Sequence, residues 1–351
     1  MTISINYNYP SSCDEYLNYL LTYYYKNIYN VKTKNKTNME NTDVLKGIID
    51  PIDKNLIESE LVVSKFIRET NKGANHIFIV TAQDSPNIMQ EIGRLREITF
   101  RLAGGGTCKE VDIDDFDHSH FKQIIVWDPV EKQIIGGYRF ALMKDLISHD
   151  QIHGPAEEIF DFSEKFVKEF APSAIELGRS FVQPDYQPRI DSRKGIFSLD
   201  NLWDGLGSLI VDYTETKYFF GKMTMYKNYN RQARNLILYF LDKYFPDPDR
   251  LVFPRSEFEL DSVEREIHLL NNIFSGNSYK EDKRVLQKAL TEVKEYIPPL
   301  FNAYMELSPN MKVFGTANNP FFGGVEETGI LLTIDSIYPE KLGRHVITYK
   351  K

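Results

Sequence analysis

Cysteine is nearly missing from this chain. Cys13 and Cys108 are the two present in 351 residues, and they stand far apart. That excludes a disulfide framework and a cysteine-rich zinc site, and it points to a reducing compartment. No apolar run approaches the ~20 residues needed to span a bilayer. No cleavable leader is recognisable either, so the expectation is a cytoplasmic protein, with room for a peripheral place at the inner membrane surface. Positive charge is also in deficit, with 42 Lys and Arg against 50 Asp and Glu and a formal net charge of −8. Nucleic acid is therefore not an expected partner. Ser180 has no Gly-x-Ser-x-Gly elbow around it, which speaks against a serine hydrolase. Gly104-Gly-Gly106 follows a helical pattern rather than a strand and does not fit a dinucleotide loop.

What is present suits a folded protein with a large core: 42% hydrophobic and 13% aromatic residues. Asp14 to Ile28 carries Tyr16, Leu20, Tyr23, Tyr24 and Ile28 at helical spacing, and Lys32 to Thr42 reads as a polar loop. Asn75 to Thr81 reads as a strand. Pro86 to Ala103 reads as a helix with Ile88, Ile92, Leu95, Ile98 and Leu102 on one face, stopped by the glycine triplet. Lys122–Asp128 and Gln133–Leu142 form a natural antiparallel pair around Pro129. A helix near Glu164 to Phe170 precedes a strand at Ile175. Helix Leu199–Glu215, strand Tyr218–Met225 and helix Asn230–Tyr244 follow. Asp261–Phe274 and Tyr279–Leu307 read as further helices, the latter interrupted by Pro298-Pro299. Met311–Gly315 and Gly329–Asp335 return as strands.

The most informative stretch is Ile175-Glu-Leu-Gly-Arg-Ser-Phe-Val-Gln-Pro-Asp-Tyr186 with Arg189, Arg193, Lys194 and Gly195 after it. It reads as a buried strand bearing a carboxylate and a guanidinium, leading into a basic turn that opens a helix. Such a turn can hold an anionic group close to a residue able to take a proton. From Gln187 to Arg234 there are eight Lys and Arg against five Asp and Glu, a basic patch to which an acidic partner would be steered.

Four motifs then fall in one order: Arg94-Leu-Arg96-Glu-Ile-Thr-Phe100, Val111-Asp-Ile-Asp114-Asp-Phe-Asp117, Gly136-Gly-Tyr-Arg139-Phe and Glu176-Leu-Gly-Arg179. Together they resemble the GNAT-type N-acyltransferases of ornithine- and glycine-lipid synthesis, which are related to the autoinducer (acyl-homoserine lactone) synthases. Leu199-Asp-Asn-Leu-Trp-Asp-Gly-Leu-Gly207 resembles the glycine-lipid branch. The resemblance runs from about Asn75 to Tyr244, with a return near Gly315 to Asp335. It implies an α/β (α+β) fold: a twisted mixed β-sheet with helices on both faces, split at its centre to take a phosphopantetheine arm. The matching division is an N-terminal helical and loop extension over 1–70, a core over 71–245, a helical insertion over 246–310 and closing strands over 311–351. The donor implied is an acyl-phosphopantetheine, on acyl-carrier protein or as acyl-CoA, and the acceptor is a small amino acid, glycine first and ornithine second. A membrane-associated O-acyltransferase acting on the product is a further implied partner.

Amide formation from a thioester needs a base for the ammonium, donors for the oxyanion and an anchor for the phosphate. Glu176 is the base candidate, because burial raises a carboxylate's pKa; an ion pair with Arg179 or Arg139 is the competing role. Arg96, Arg139 and Arg179 either clamp the acceptor's carboxylate or brace the site against Asp114 and Asp117. Phe100 joins Arg96, Asp114 and Asp117 on the substrate side, and Trp203 is either core or a wall of an acyl tunnel. Arg189, Arg193, Lys194 and Gly195 are the phosphate-anchor candidates, although they depart from the superfamily's usual Arg/Gln-x-x-Gly-x-Gly/Ala loop. The cluster Asp112, Asp114, Asp115, Asp117, His118 and His120 lacks the pattern of a calcium or zinc site, so no metal is expected. A lactone synthase and a non-catalytic acyl-binding module are the remaining readings.

Overall fold

The computed structural model of the chain describes residues 43–187, 195–256, 270, 273–276 and 278–351. Its centre is an eight-stranded sheet. In chain order the strands are β1 (Phe66–Glu69), β2 (His76–Val80), β3 (Lys122–Asp128), β4 (Gln133–Leu142), β5 (Ala174–Val182), β6 (Tyr218–Met225), β7 (Lys312–Asn319) and β8 (Val325–Thr333). They lie in the order β1-β2-β3-β4-β5-β6-β8-β7. Every neighbouring pair is antiparallel except β5 and β6, which run parallel. At the β3–β4 turn, Asp128 Oδ1 accepts the amides of Val130 and Glu131, each at 2.9 Å. That local bonding holds a tight reversal without a central glycine.

One face of the sheet is covered by α3 (Ser198–Asp212) and α4 (Arg231–Tyr244). Alternate strand residues Ile77, Ile124, Ile175, Leu177 and Phe219 pack there with Leu202, Leu206, Ile237 and Leu241. Asn230 caps α4 by accepting the amides of Gln232 and Ala233, which explains its sharp start. Two separate covers share the other face. Over β2 to β4 lies α2 (Pro86–Ala103), with α1 (Lys54–Glu60) packed against it, burying Ile88, Ile92, Leu95 and Phe100 against Phe78, Ile125 and Trp127. Over β5 to β8 lies the segment from Met143 to Phe170, whose Ile152, Ala156, Phe160 and Phe166 pack on Phe220, Phe314 and Leu331. Polar residues occupy the gap between these two apolar covers.

β5 and β6 stay together only briefly. Their ladder runs Ala174↔Tyr218, Ile175↔Phe219, Glu176↔Phe220 and Leu177↔Gly221, and then stops although both strands continue. Beyond that point β5 pairs with β4 alone and β6 with β8. β5 also gains a residue there: Arg139 faces Gly178 while Gly137 faces Phe181. The extra residue forms a β-bulge with Arg179 at φ 49°, a left-handed backbone uncommon for a side-chain-bearing residue. The split expected at the centre of a mixed sheet is therefore present, and it opens one residue past Glu176.

Several boundaries differ from the sequence reading. β1 belongs to the sheet, so the core begins before residue 71. It was hidden because Phe66-Ile-Arg-Glu69 is short and charged. Asp14–Ile28, Lys32–Thr42 and most of Asp261–Phe274 lie outside the described residues. The run after Tyr279 is two helices, α5 (Tyr279–Glu292) and α6 (Pro299–Met305), separated around the proline pair. Near 164–170 the backbone winds as a π-helix over Phe166–Phe170. On α2, Leu102 is exposed and Phe100 takes the inward position. The chain closes with α7 (Pro339–His345), packed on α3. Among the described residues no helix is long and apolar enough to cross a membrane.

Candidate active site

The gap on the sheet face is filled by an alternating row of charges. At one end Arg96, from α2, donates to Asp117 Oδ1 at 3.2 Å and to Gln123 Oε1 at 2.5 Å. Gln123, on β3, returns a bond to Asp117 at 2.9 Å. Arg139, on β4, donates to Asp114 at 2.6 Å and lies 3.2 Å from Asp117. Arg179, in the bulge, pairs with Asp112 at 2.9 Å, and its guanidinium stacks 4.5 Å over the Phe322 ring. The acids come from the loop after α2. It can lie against that helix because Gly93 has no side chain: a Cβ there would stand 2.7 Å from Ile113 Cγ1.

These charges fix one another's ionisation. Burial alone would raise the Asp117 carboxyl, but Arg96 and Arg139 outweigh it and hold the group well below its usual range. For Arg139 burial pulls downward, while Asp117 and Asp114 outweigh it and push upward. Arg96 is lowered, because burial outweighs Asp117 and Asp112. A buried network of this kind costs desolvation and contributes fixed geometry.

Glu176, on β5, stands beyond the arginine cluster and is 3% exposed. Burial pushes its carboxyl up to about 7, against the lowering influence of Lys222, Arg139 and the Ala156 amide. Its Oε2 is buried without a hydrogen-bond partner. On β6, Lys222 Nζ lies 3.0 Å from Glu327 Oε2 and donates to Pro155 O at 3.2 Å. Glu327 also accepts from Thr224 at 3.2 Å and from Asn319 at 2.9 Å. Burial would raise Glu327, yet Lys222 and Asn319 outweigh it and keep the carboxyl below its ordinary value. The row thus ends in two carboxyls of opposite character.

Arg96, Asp114, Asp117, Arg139, Glu176 and Arg179 are brought together, and Phe100 is one ring away, packed edge-on against Phe322 at 5.0 Å. Trp203 is not among them. It sits on α3, on the opposite face of the sheet, against Tyr304 at 5.7 Å and beside a small apolar cavity of about 20 Å³ lined by α3 and α7. Its indole packs core rather than the charged row. Arg189, Arg193 and Lys194 lie outside the described residues. Gly195 is described and has φ 87°. Asp112, Asp114 and Asp117 face guanidinium groups, and His118 and His120 are exposed. A larger cavity of about 220 Å³ lies around Leu142, Ala174 and Tyr213, at the paired end of β5 and β6 and away from the split.

The sequence reading missed Gln123, Lys222, Glu327 and Asn319, and it saw Asp112 only as a metal candidate. A signal existed for Lys222, a lone cation inside the apolar run Tyr218-Phe-Phe-Gly-Lys-Met-Thr-Met225. Glu327 sits likewise in a strand otherwise rich in Ile and Leu.

Residues 95–191 match the Acetyltransferase (GNAT) domain family. The glycine N(alpha)-acyltransferase of Phocaeicola vulgatus is 48% identical over 312 residues, covering 88% of this chain and 94% of that protein. The glycine N(alpha)-acyltransferase of Bacteroides thetaiotaomicron is 47% identical over 310 residues, covering 87% and 91%. This chain belongs to their acyltransferase family. The solved structure of the AHL synthase LasI is a distant likeness, 14% identical, covering 42% of this chain and 71% of that one with a TM-score of 0.29. An N-acyltransferase uses an acyl thioester and an amine, so the acyltransferase site must bring two substrates to one carbonyl. The four motifs of the charged row all fall inside the matched domain or directly beside it.

Proposed function

We propose that this acyltransferase moves a fatty acyl group, 3-hydroxylated where the lipid calls for it, from acyl-carrier protein to the α-amine of glycine in aminolipid synthesis. The observation that supports it most is the placing of Glu176, a buried carboxyl poised near neutrality, one residue before β5 and β6 part. The acceptor is the one in the relatives' names; ornithine is the second candidate. The carrier-protein donor is favoured over acyl-CoA by the basic surplus after Gln187 in an otherwise acidic chain.

In this reading the phosphopantetheine arm lies between the parted strands, with its phosphate on Arg189, Arg193, Lys194 and the turn at Gly195. Glu176, directly or through one water, takes a proton from the acceptor's ammonium. The freed amine attacks the thioester carbonyl. Amides of β5 past Leu177, released from the ladder with β6, stabilise the oxyanion. As that intermediate collapses, the new C–N bond is kept and the C–S bond breaks. The nitrogen's surplus proton passes to the leaving thiolate, directly or through water, and the thiol departs with the pantetheine arm. Arg96, Arg139 and Arg179 act with Asp112, Asp114 and Asp117 as a brace that holds β3, β4 and the bulge in place. The product keeps a free carboxylate, and a membrane-associated O-acyltransferase is the partner that would extend it.

The test is thioester consumption by the purified full chain, with long-chain acyl-carrier protein or acyl-CoA as donor and a panel of amino acids as acceptors. Mass spectrometry of the product would show N-acylglycine. Absence of an amide with every amino acid would overturn the reading, and a lactone would replace it.

A further inference from the structure

We propose that Lys222 holds the acceptor's carboxylate and so makes the site select an α-amino acid over a plain amine. The assignment rests on the amino-acid acyltransferase reading above. An amino acid enters as a zwitterion, its carboxylate one carbon from the ammonium that must lose a proton. The cation that recognises it must therefore stand beside the base.

Four cations share the charged row, and each is paired with an acid of the protein, Lys222 with Glu327. Arg96 is committed to Asp117 and Gln123, Arg139 to Asp114 and Asp117, and Arg179 to Asp112 while stacked on Phe322. Lys222 differs in position and in valence. It is the first residue of β6 past the last ladder pair, Leu177↔Gly221, two residues beyond the partner of Glu176 and on the same face. Across the split stands Gly178, where nothing lies within 4 Å of the place a Cβ would occupy. Glu176, Gly178 and Lys222 thus lie on one face where the split begins, with open space beside Gly178. The Lys222 ammonium has three donors, and two are used, on Pro155 O and Glu327 Oε2. The side chain keeps 11% exposure. Glu327 is itself held by Asn319 and Thr224, which fixes the ammonium and leaves the third donor for the ligand.

The same contacts could instead make Lys222 a purely structural partner of Glu327, and kinetics separates the two. The probes are glycine and glycinamide, which carry the same amine with and without the carboxylate, at saturating acyl-carrier donor. In the double variant Lys222→Met/Glu327→Gln both charges leave together, so neither is stranded in the interior. Its kcat/KM for glycine should fall about 10- to 100-fold, chiefly through KM, the range expected for one charged hydrogen bond. Assayed well above pH 7, where the loss of Lys222's lowering influence on Glu176 matters least, glycinamide should change by less than about 3-fold on the same scale, and the donor KM should stay put. If wild-type protein works and the double variant keeps its preference for glycine, only the Lys222 assignment falls. If wild-type protein makes no amide from glycine, the parent reading falls and takes this one with it. Glu327→Gln alone is the second arm: it removes the acid that fixes the ammonium and should raise the glycine KM while leaving glycinamide unaffected. An unchanged or lowered glycine KM in that variant overturns the assignment.

Discussion

Gly154 lies against the carboxyl of Glu176, so close that a Cβ at position 154 would stand 2.8 Å from Oε2. The adjoining backbone also reaches the charged row, since Pro155 O accepts from Lys222 and the Ala156 amide faces Glu176. Three successive residues therefore cover the base candidate and the lysine together. Gly154→Ala should displace Glu176 by the overlap of one methyl. We expect kcat to drop at least about 10-fold while stability falls by about 1–3 kcal/mol, the range for overpacking. Kinetics and a denaturant melt on the same preparation check it. A variant with wild-type kcat would show that the position of Oε2 does not matter.

Glu176→Gln tests the base itself. Removal of a general base costs about 10²–10⁴ in rate. Wild-type kcat/KM should rise with pH through about 7, where the carboxyl ionises, and the residual activity of the variant should lack that limb. Stability follows with the opposite sense. The folded carboxyl titrates near 7 and the unfolded one near its ordinary 4.5, so the native state binds more protons between them and stability declines as pH rises through that window. The charges facing the group are Lys222, Arg139 and Glu158, with the Ala156 amide. Above pH 7 the Gln variant should be the more stable protein, by at most about 3 kcal/mol. Melts at pH 5 and pH 8 measure the sign directly.

The arginine–carboxylate brace makes a separate prediction. Asp117 is fully buried and serves Arg96, Arg139 and Gln123 at once. Asp117→Asn would leave two buried guanidiniums short of charge compensation. It should cost about 3–5 kcal/mol, the penalty for breaking one side of a buried pair. A shift of that size in the urea midpoint, at unchanged slope, is the expected result. A change under about 1 kcal/mol would mean that water reaches the cluster.

Much of this arrangement was legible before any coordinates. β6 runs over Tyr218–Met225 as its apolar composition predicted, and α4 begins at Asn230 because a capping side chain stands where the periodicity starts. Motif order alone identified six of the clustered residues. The pairing of Lys222 with Glu327 was not legible, because it lies in register: Lys222 is the one charge of an apolar strand and Glu327 one of two adjacent glutamates until β6 and β8 are paired. Trp203, left open between core and tunnel wall by the sequence, lies on α3, and that whole helix covers the opposite face of the sheet, where the indole packs against Tyr304. The bulge at Arg179 likewise depends on how β4 and β5 align, and one strand's sequence carries no record of its partner's register.

Gly195 offers a test of the donor side that leaves the charged row untouched. Its φ of 87° disfavours any side chain, and a Cβ there would stand 1.9 Å from the Tyr186 carbonyl oxygen. That carbonyl cannot retreat easily, since it accepts from Ser198 Oγ at 3.0 Å and the Tyr186 hydroxyl is tied to Asp128 at 2.8 Å. Gly195→Ala must therefore rearrange the turn that closes the segment bearing Arg189, Arg193 and Lys194 and opens α3. If that turn anchors the phosphate, the donor KM should rise about 10-fold or more, as for loss of a charged hydrogen bond, with the glycine KM little changed. Arg193→Ala/Lys194→Ala should reproduce the effect without backbone strain and should flatten its dependence on salt. A donor KM that stays at the wild-type value in the double alanine variant would move the phosphate anchor elsewhere on the chain.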